Sequence, residues 1–196
     1  MNLAKVLSYS LHPVVIPCIT TMLYFSKGAM IYDANYKILL LLITFLGTYI
    51  IPVCGLLVLK QVNLIDSLTI PRVEQRKYPS LIMLIVSVSF TILFQFKFHD
   101  PYLKHFYLAS IFSIVLLLIA QGRKLKLSIH MIGVSSLLGF VIYMSYTLKM
   151  NELALIASLS LLTGLVAWSR LNLAAHTKKE LFLGLLLGLL PQIILL

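Results

Sequence analysis

Long apolar runs alternate with short polar stretches along this chain. Runs of roughly 17 to 25 apolar residues let an α-helix cross about 30 Å of hydrocarbon with every backbone group bonded internally. Seven segments qualify as candidate spans: residues 11–28, 38–59, 80–97, 103–120, 130–148, 153–169 and 181–196. The first is short and contains Pro13 and Pro17, so a re-entrant or interfacial segment is the alternative to a full crossing there. The connections are too short for a second domain, and neither an internal repeat nor a low-complexity linker interrupts the pattern. These features predict an all-α, polytopic membrane helical bundle with six or seven transmembrane helices, forming a single domain over residues 1–196.

The polar stretches add a topological constraint. "KQVNLIDSLTIPRVEQRKYPS" follows the second span, "QGRKLKLSIH" the fourth and "SRLNLAAHTKKE" the sixth. An even number of crossings separates each from the next, so all three face one side of the membrane. The loops opposite, "FKFHDPYLK" and "LKMNE", are shorter and less charged. Three polar clusters at helix ends on one face can converge into one pocket without a long loop. Ionisable groups at the membrane edge are expensive enough for such clustering to invite a functional reading.

Composition sharpens this picture. Hydrophobic residues make up 60% of the chain and charged residues 11%, which fits an integral membrane protein and excludes a soluble enzyme. The formal charge is +10, yet no basic block interleaved with aromatics suggests nucleic acid. Two explanations remain for the charge: loop residues beside anionic lipid, or an anion-binding site. Cys18 and Cys54 lie in apolar runs and read as packing residues. Lys5 precedes His12-Pro13 without a small-residue cleavage site, so the start of the chain does not read as a cleaved signal peptide.

In the third cluster His176 and Glu180 are four residues apart, one turn on a helical face. Glu180 can then hold one ring nitrogen of His176 and leave the other free as a nucleophile. Arg170, at the end of the preceding span, offers a planar fork that suits phosphate or carboxylate. Gly184 and Gly188 continue the same face, so a neighbouring helix can pack closely below it. In the second cluster Ser128 suits an N-cap, placing His130 in a first helical turn whose free amides favour an anion; Arg123, Lys124 and Lys126 precede it. In the first, Arg72 and Arg76 are spaced to grip a phosphate from one helical face, or to pair with Asp66 and Glu74 at the surface. An ordinary basic loop over a packing seam accounts for the same residues. His12, His99 and His105 share no span face with carboxylates at ligand spacing, so no metal site is expected.

Taken together, the clusters resemble the membrane-bound type 2 phosphatidic acid phosphatase superfamily over residues 60 to 190. That family carries a Lys/Arg stretch ending in Arg-Pro, then Pro-Ser-Gly-His, then Ser-Arg, five residues, His, three residues, Asp. Here the third motif reads Ser169-Arg170, five residues, His176, three residues, Glu180. The second reads Leu127-Ser128-Ile129-His130, and the first survives loosely as "PRVEQRKYP". The chain is also similar to a hydrophobic bacterial branch in which two additional spans separate the first two motifs. The resemblance implies a phosphorylated membrane lipid as substrate, no metal and no cofactor, and a bacterial cytoplasmic membrane. His176 would be the nucleophile that becomes phosphohistidine, His130 the acid for the leaving group, and Glu180 the orienter of His176. Arg170, Arg76, Arg72, Ser128, Ser169 and Lys126 would form the phosphate-binding set.

Glu180 in place of Asp keeps the acceptor one methylene further out. Ile129 in place of Gly obstructs phosphate if that Gly is needed for close backbone approach, and is harmless if the position is already helical. Two other readings therefore stand beside the phosphatase: a catalytically degenerate relative that binds or moves a phosphorylated lipid, and an unrelated small transporter or structural bundle. Most of the sixteen Lys and Arg lie on the cluster side, which the positive-inside tendency places in the cytoplasm, whereas the resemblance implies the outer face. Sidedness and oligomeric state are open at this level.

Overall fold

The computed structural model describes residues 3–27, 32–68, 70 and 72–195. Within them all regular structure is helical, and nine α-helices align into seven rods. Helices α1 (Leu3–Ser10) and α2 (Ile16–Ser26) form the first rod, joined by a 3-10 turn at Pro13–Val15. His12 between them is extended, as a residue before proline prefers. Pro13 and Pro17 fall in first turns, where a missing amide costs little. This rod starts eight residues earlier than the predicted span at 11–28, and over Leu3–Ser26 it is long and apolar enough to cross a membrane.

Helices α3 (Ala34–Phe45) and α4 (Ile51–Gln61) run as one rod through a π-helical turn at Leu46–Ile50, which ends two residues before Pro52. The wide turn accommodates the backbone that proline cannot hydrogen-bond. Then come α5 (Lys77–Phe96), entered by a 3-10 turn at Val73–Arg76, and α6 (Pro101–Gly122), α7 (Ile129–Thr147), α8 (Leu153–Asn172) and α9 (Lys178–Ile194). Six rods have the length and hydropathy of membrane spans. The seventh, α9, has 17 residues, about 25 Å at the α-helical rise. Large apolar side chains such as Ile85, Leu161 and Phe182 point outward, where hydrocarbon takes the place of water. The chain is an integral membrane protein.

Helix α7 is the most enclosed of the six spans, and its closest neighbour is α9. Glycines permit that approach. A Cβ on Gly184 would stand 3.0 Å from the Ser128 carbonyl, one on Gly139 would stand 2.9 Å from the Leu189 carbonyl, and one on Gly188 would collide with the Ile132 carbonyl and Ser135 Oγ. These contacts climb both helices together, so α7 and α9 are parallel and begin at the same end of the bundle. The close packing expected below Gly184 and Gly188 is present, with α7 as the partner.

The opposite end is tied by Asp100. Its buried carboxylate caps α6 by accepting from the Tyr102 and Leu103 amides at 3.0 and 2.8 Å, and also accepts from Tyr24 and Tyr32 hydroxyls at 2.9 and 2.8 Å. One side chain thereby anchors α2, the start of α6 and the segment leading to α3. Nearby, Lys27 pairs with Glu152 at 2.6 Å.

Candidate functional site

A cavity of about 250 Å³ opens among α2, α4, α5, α6 and α7, and its polar end is lined by His12, Arg76, His130, Arg170 and His176. Each of the three polar clusters thus contributes residues to the lining. Met83, Val86, Phe106 and Leu117 are among the apolar residues that make up most of the rest, with Ser87, Ser110 and Ser113 between them.

His176 reaches the cavity from a short loop. Helix α8 ends with Ala174 in the left-handed region at φ 48°, where the Ala175 amide donates to the Arg170 carbonyl at 3.1 Å and reverses the chain. Thr177 then caps α9. Its hydroxyl accepts from the Glu180 amide at 3.3 Å, while Glu180 Oε2 accepts from the Thr177 amide at 3.0 Å. Glu180 Oε2 also stands 3.1 Å from His176 Nδ1, and the Lys126 carbonyl lies 3.2 Å from the same nitrogen. Both neighbours are acceptors, so Nδ1 carries the proton and Nε2 keeps its lone pair. The expected His176–Glu180 pairing is made, but by a reciprocal cap, since His176 itself precedes the helix.

The imidazole is nearly enclosed, with its side chain 3% exposed. Burial pushes the His176 pKa below its ordinary 6.5, partly opposed by the Glu180 hydrogen bond, and the nearby Arg170 and Arg76 charges add to the lowering.

His130 occupies the first turn of α7, which Ser128 caps by accepting from the Met131 amide at 3.4 Å. Ile129 is already helical, so its side chain leaves the first-turn amides of α7 in place. His130 Nε2 lies 3.2 Å from the Ser8 carbonyl and donates to it, which leaves Nδ1 available.

Arg170, in the last turn of α8, donates from Nη1 to Ser8 Oγ at 2.7 Å, while its buried Nε has no partner among the described residues. Arg76 donates from Nε to the Ile70 carbonyl at 3.1 Å. Among the described residues neither guanidinium is in an ion pair with a carboxylate. The cavity therefore holds two half-buried guanidiniums with no carboxylate in direct contact among the described residues, a surplus of charge that an anion would relieve.

Arg72, Lys126, Ser128, Ser169 and Glu180 are not among the described residues lining the cavity. Arg72 is extended at the entry to the 3-10 turn, so its spacing from Arg76 does not put both on one helical face. It is exposed and paired with Asp66 at 3.2 Å. Lys126 contributes its carbonyl to His176, Ser128 is spent on the cap of α7, and Ser169 donates to the Ala4 carbonyl at 2.6 Å, fixing α8 to α1.

Two contributors were missed by sequence reasoning, His12 and Ser8, both from the first rod. The signal was present: if the first rod crosses, the parity count places residue 12 on the cluster side, and the His-Pro step marks a helix break there.

Comparison with protein-family models, with curated proteins and with solved structures gives no match to this chain.

Proposed function

We propose that this chain is a metal-independent lipid phosphate phosphatase that works through a phosphohistidine at His176, as the resemblance to type 2 phosphatidic acid phosphatases implies. The observation that carries the reading is the lining of the cavity. An imidazole with a free Nε2, held by a carboxylate through Nδ1, lines a largely apolar chamber together with two guanidiniums that, among the described residues, are in no ion pair with a carboxylate. Arg170 and Arg76 bind phosphate oxygens, and the apolar wall takes the lipid tail.

In the first step His176 Nε2 bonds to phosphorus and the bond to the leaving oxygen breaks. That oxygen takes the Nδ1 proton of His130, whose imidazolium form the bound phosphate anion stabilises and whose Nε2 proton the Ser8 carbonyl holds. In the second step neutral His130 Nδ1 removes a proton from water, the hydroxide oxygen attacks phosphorus, and the P–N bond breaks. The substrate is a phosphate monoester or diphosphate of a membrane lipid, and the resemblance assigns the enzyme to a bacterial cytoplasmic membrane.

The test is phosphate release by purified protein in detergent with EDTA over a panel of lipid phosphates, with His176→Ala alongside. Release that persists in EDTA and vanishes in the variant is the expected result. Equal release from both proteins overturns the mechanism, and silence from a folded wild type moves the assignment to a lipid-phosphate binder.

A further inference from the structure

Three imidazoles line the polar end of the cavity, and the proposed reaction uses only two. The third, His12, comes from the break in the first rod and belongs to none of the three polar clusters. Its ring is held on two sides. Nδ1 accepts the Val14 amide at 3.4 Å, capping the 3-10 turn, and the ring meets His130 edge to face with centroids 5.3 Å apart. A ring nitrogen that accepts an amide proton carries none itself, so neutral His12 has its proton on Nε2. The His12 ring lines the same chamber as Arg76, Arg170 and His176.

A neutral imidazole with a fixed tautomer is a hydrogen-bond donor without charge. In a chamber that already holds two guanidiniums without a carboxylate in contact among the described residues, such a group adds a contact to an anion without adding to their mutual repulsion. His12 also stands where α1 braces the site: Ser8 on that helix receives both Arg170 and His130. The first rod therefore shapes the anion end of the chamber as directly as the clusters do.

We propose that His12 is an additional phosphate-binding residue, donating Nε2–H to a non-bridging oxygen of the substrate phosphate. This rests on the phosphatase reading of the cavity and extends its anion site to the first rod.

The experiment is binding of inorganic phosphate to the full-length protein in detergent, followed by titration calorimetry, for wild type, His12→Asn and His12→Ala. Asparagine can still cap the 3-10 turn with its oxygen but is too short to keep a donor where Nε2 stood, so His12→Asn separates anion binding from folding. Both variants should bind phosphate about tenfold more weakly, the scale of losing one hydrogen bond to a charged group. The melting temperature of His12→Asn should stay close to that of wild type. Wild-type affinity in a folded His12→Asn, with wild type still releasing phosphate from lipid, overturns the role of His12 and leaves the phosphatase reading standing. A wild type that neither binds nor releases phosphate overturns both.

Discussion

Glu180 meets the Thr177 amide at 3.0 Å and His176 Nδ1 at 3.1 Å through a single oxygen, so one carboxylate serves a helix cap and a candidate nucleophile together. The two roles separate in Glu180→Gln, because glutamine also closes a capping box and offers an acceptor without charge. Burial lowers the His176 pKa while Glu180 raises it by hydrogen bond and by charge. Removing that charge should lower the pKa further, and the acid limb of kcat/KM against pH should move to lower pH. An acid limb that moves up instead would break the proposed pairing. The same depression has a stability consequence. The unfolded chain binds a proton at its ordinary value of 6.5 and the folded chain only below it, so this contribution is present above pH 6.5 and is lost as pH falls through that window. The motif spacing of Arg170, His176 and Glu180 made these residues visible in the sequence. Ser8 and His12 were not singled out because their relevance arises from α1 folding back on α8, a contact between residues as far apart as Ser8 and Arg170.

At the level of elements, the parallel packing of α7 on α9 places His130, in the first turn of α7, and His176, just before α9, at the same end of the bundle. Gly188→Ala would push a methyl group into the Ile132 carbonyl, which cannot move without shifting α7. It should destabilise the protein by about 1–3 kcal/mol, the range for overpacking. Gly164 on α8 has nothing within 4 Å of a Cβ, so Gly164→Ala should be neutral or slightly stabilising through helix propensity. Thermal unfolding of both variants in detergent checks the contrast, and a Gly188→Ala protein as stable as Gly164→Ala would refute the close α7–α9 contact. The helices were legible because uninterrupted apolar runs of membrane length leave the backbone little alternative. Their ends were less so. Two residues past the ends of α6 and α8 the left-handed positions are taken by Lys124 and Ala174 rather than glycine, and only α6, which ends on Gly122, has a glycine nearby. The first rod begins eight residues before the predicted span, and Pro13 and Pro17, which suggested a re-entrant or interfacial segment, both fall in first turns that tolerate them.

For the whole molecule, the count of crossings has a direct consequence. With seven rods, α7 and α9 both begin at the site end, so Leu195 lies at the other end from the loop around Asp66. Reporter fusions after the C-terminus and within that loop should report opposite sides of the membrane, and agreement between them would mean that α9 does not cross. The amino-acid sequence by itself determined the membrane class, the all-helical architecture and the common face of the three polar clusters. Those follow from the cost of unbonded backbone in hydrocarbon and from counting, neither of which needs contact geometry. Only the tertiary structure decided which polar residues meet. It left Arg72 in a surface pair with Asp66, spent Ser128 and Ser169 on backbone contacts, and brought His12 and Ser8 from the first rod into the site. The physical reason is that a hydrogen-bonding side chain takes whichever partner the packing of distant helices brings within about 3 Å, and motif spacing along one strand of chain carries no information about that distance.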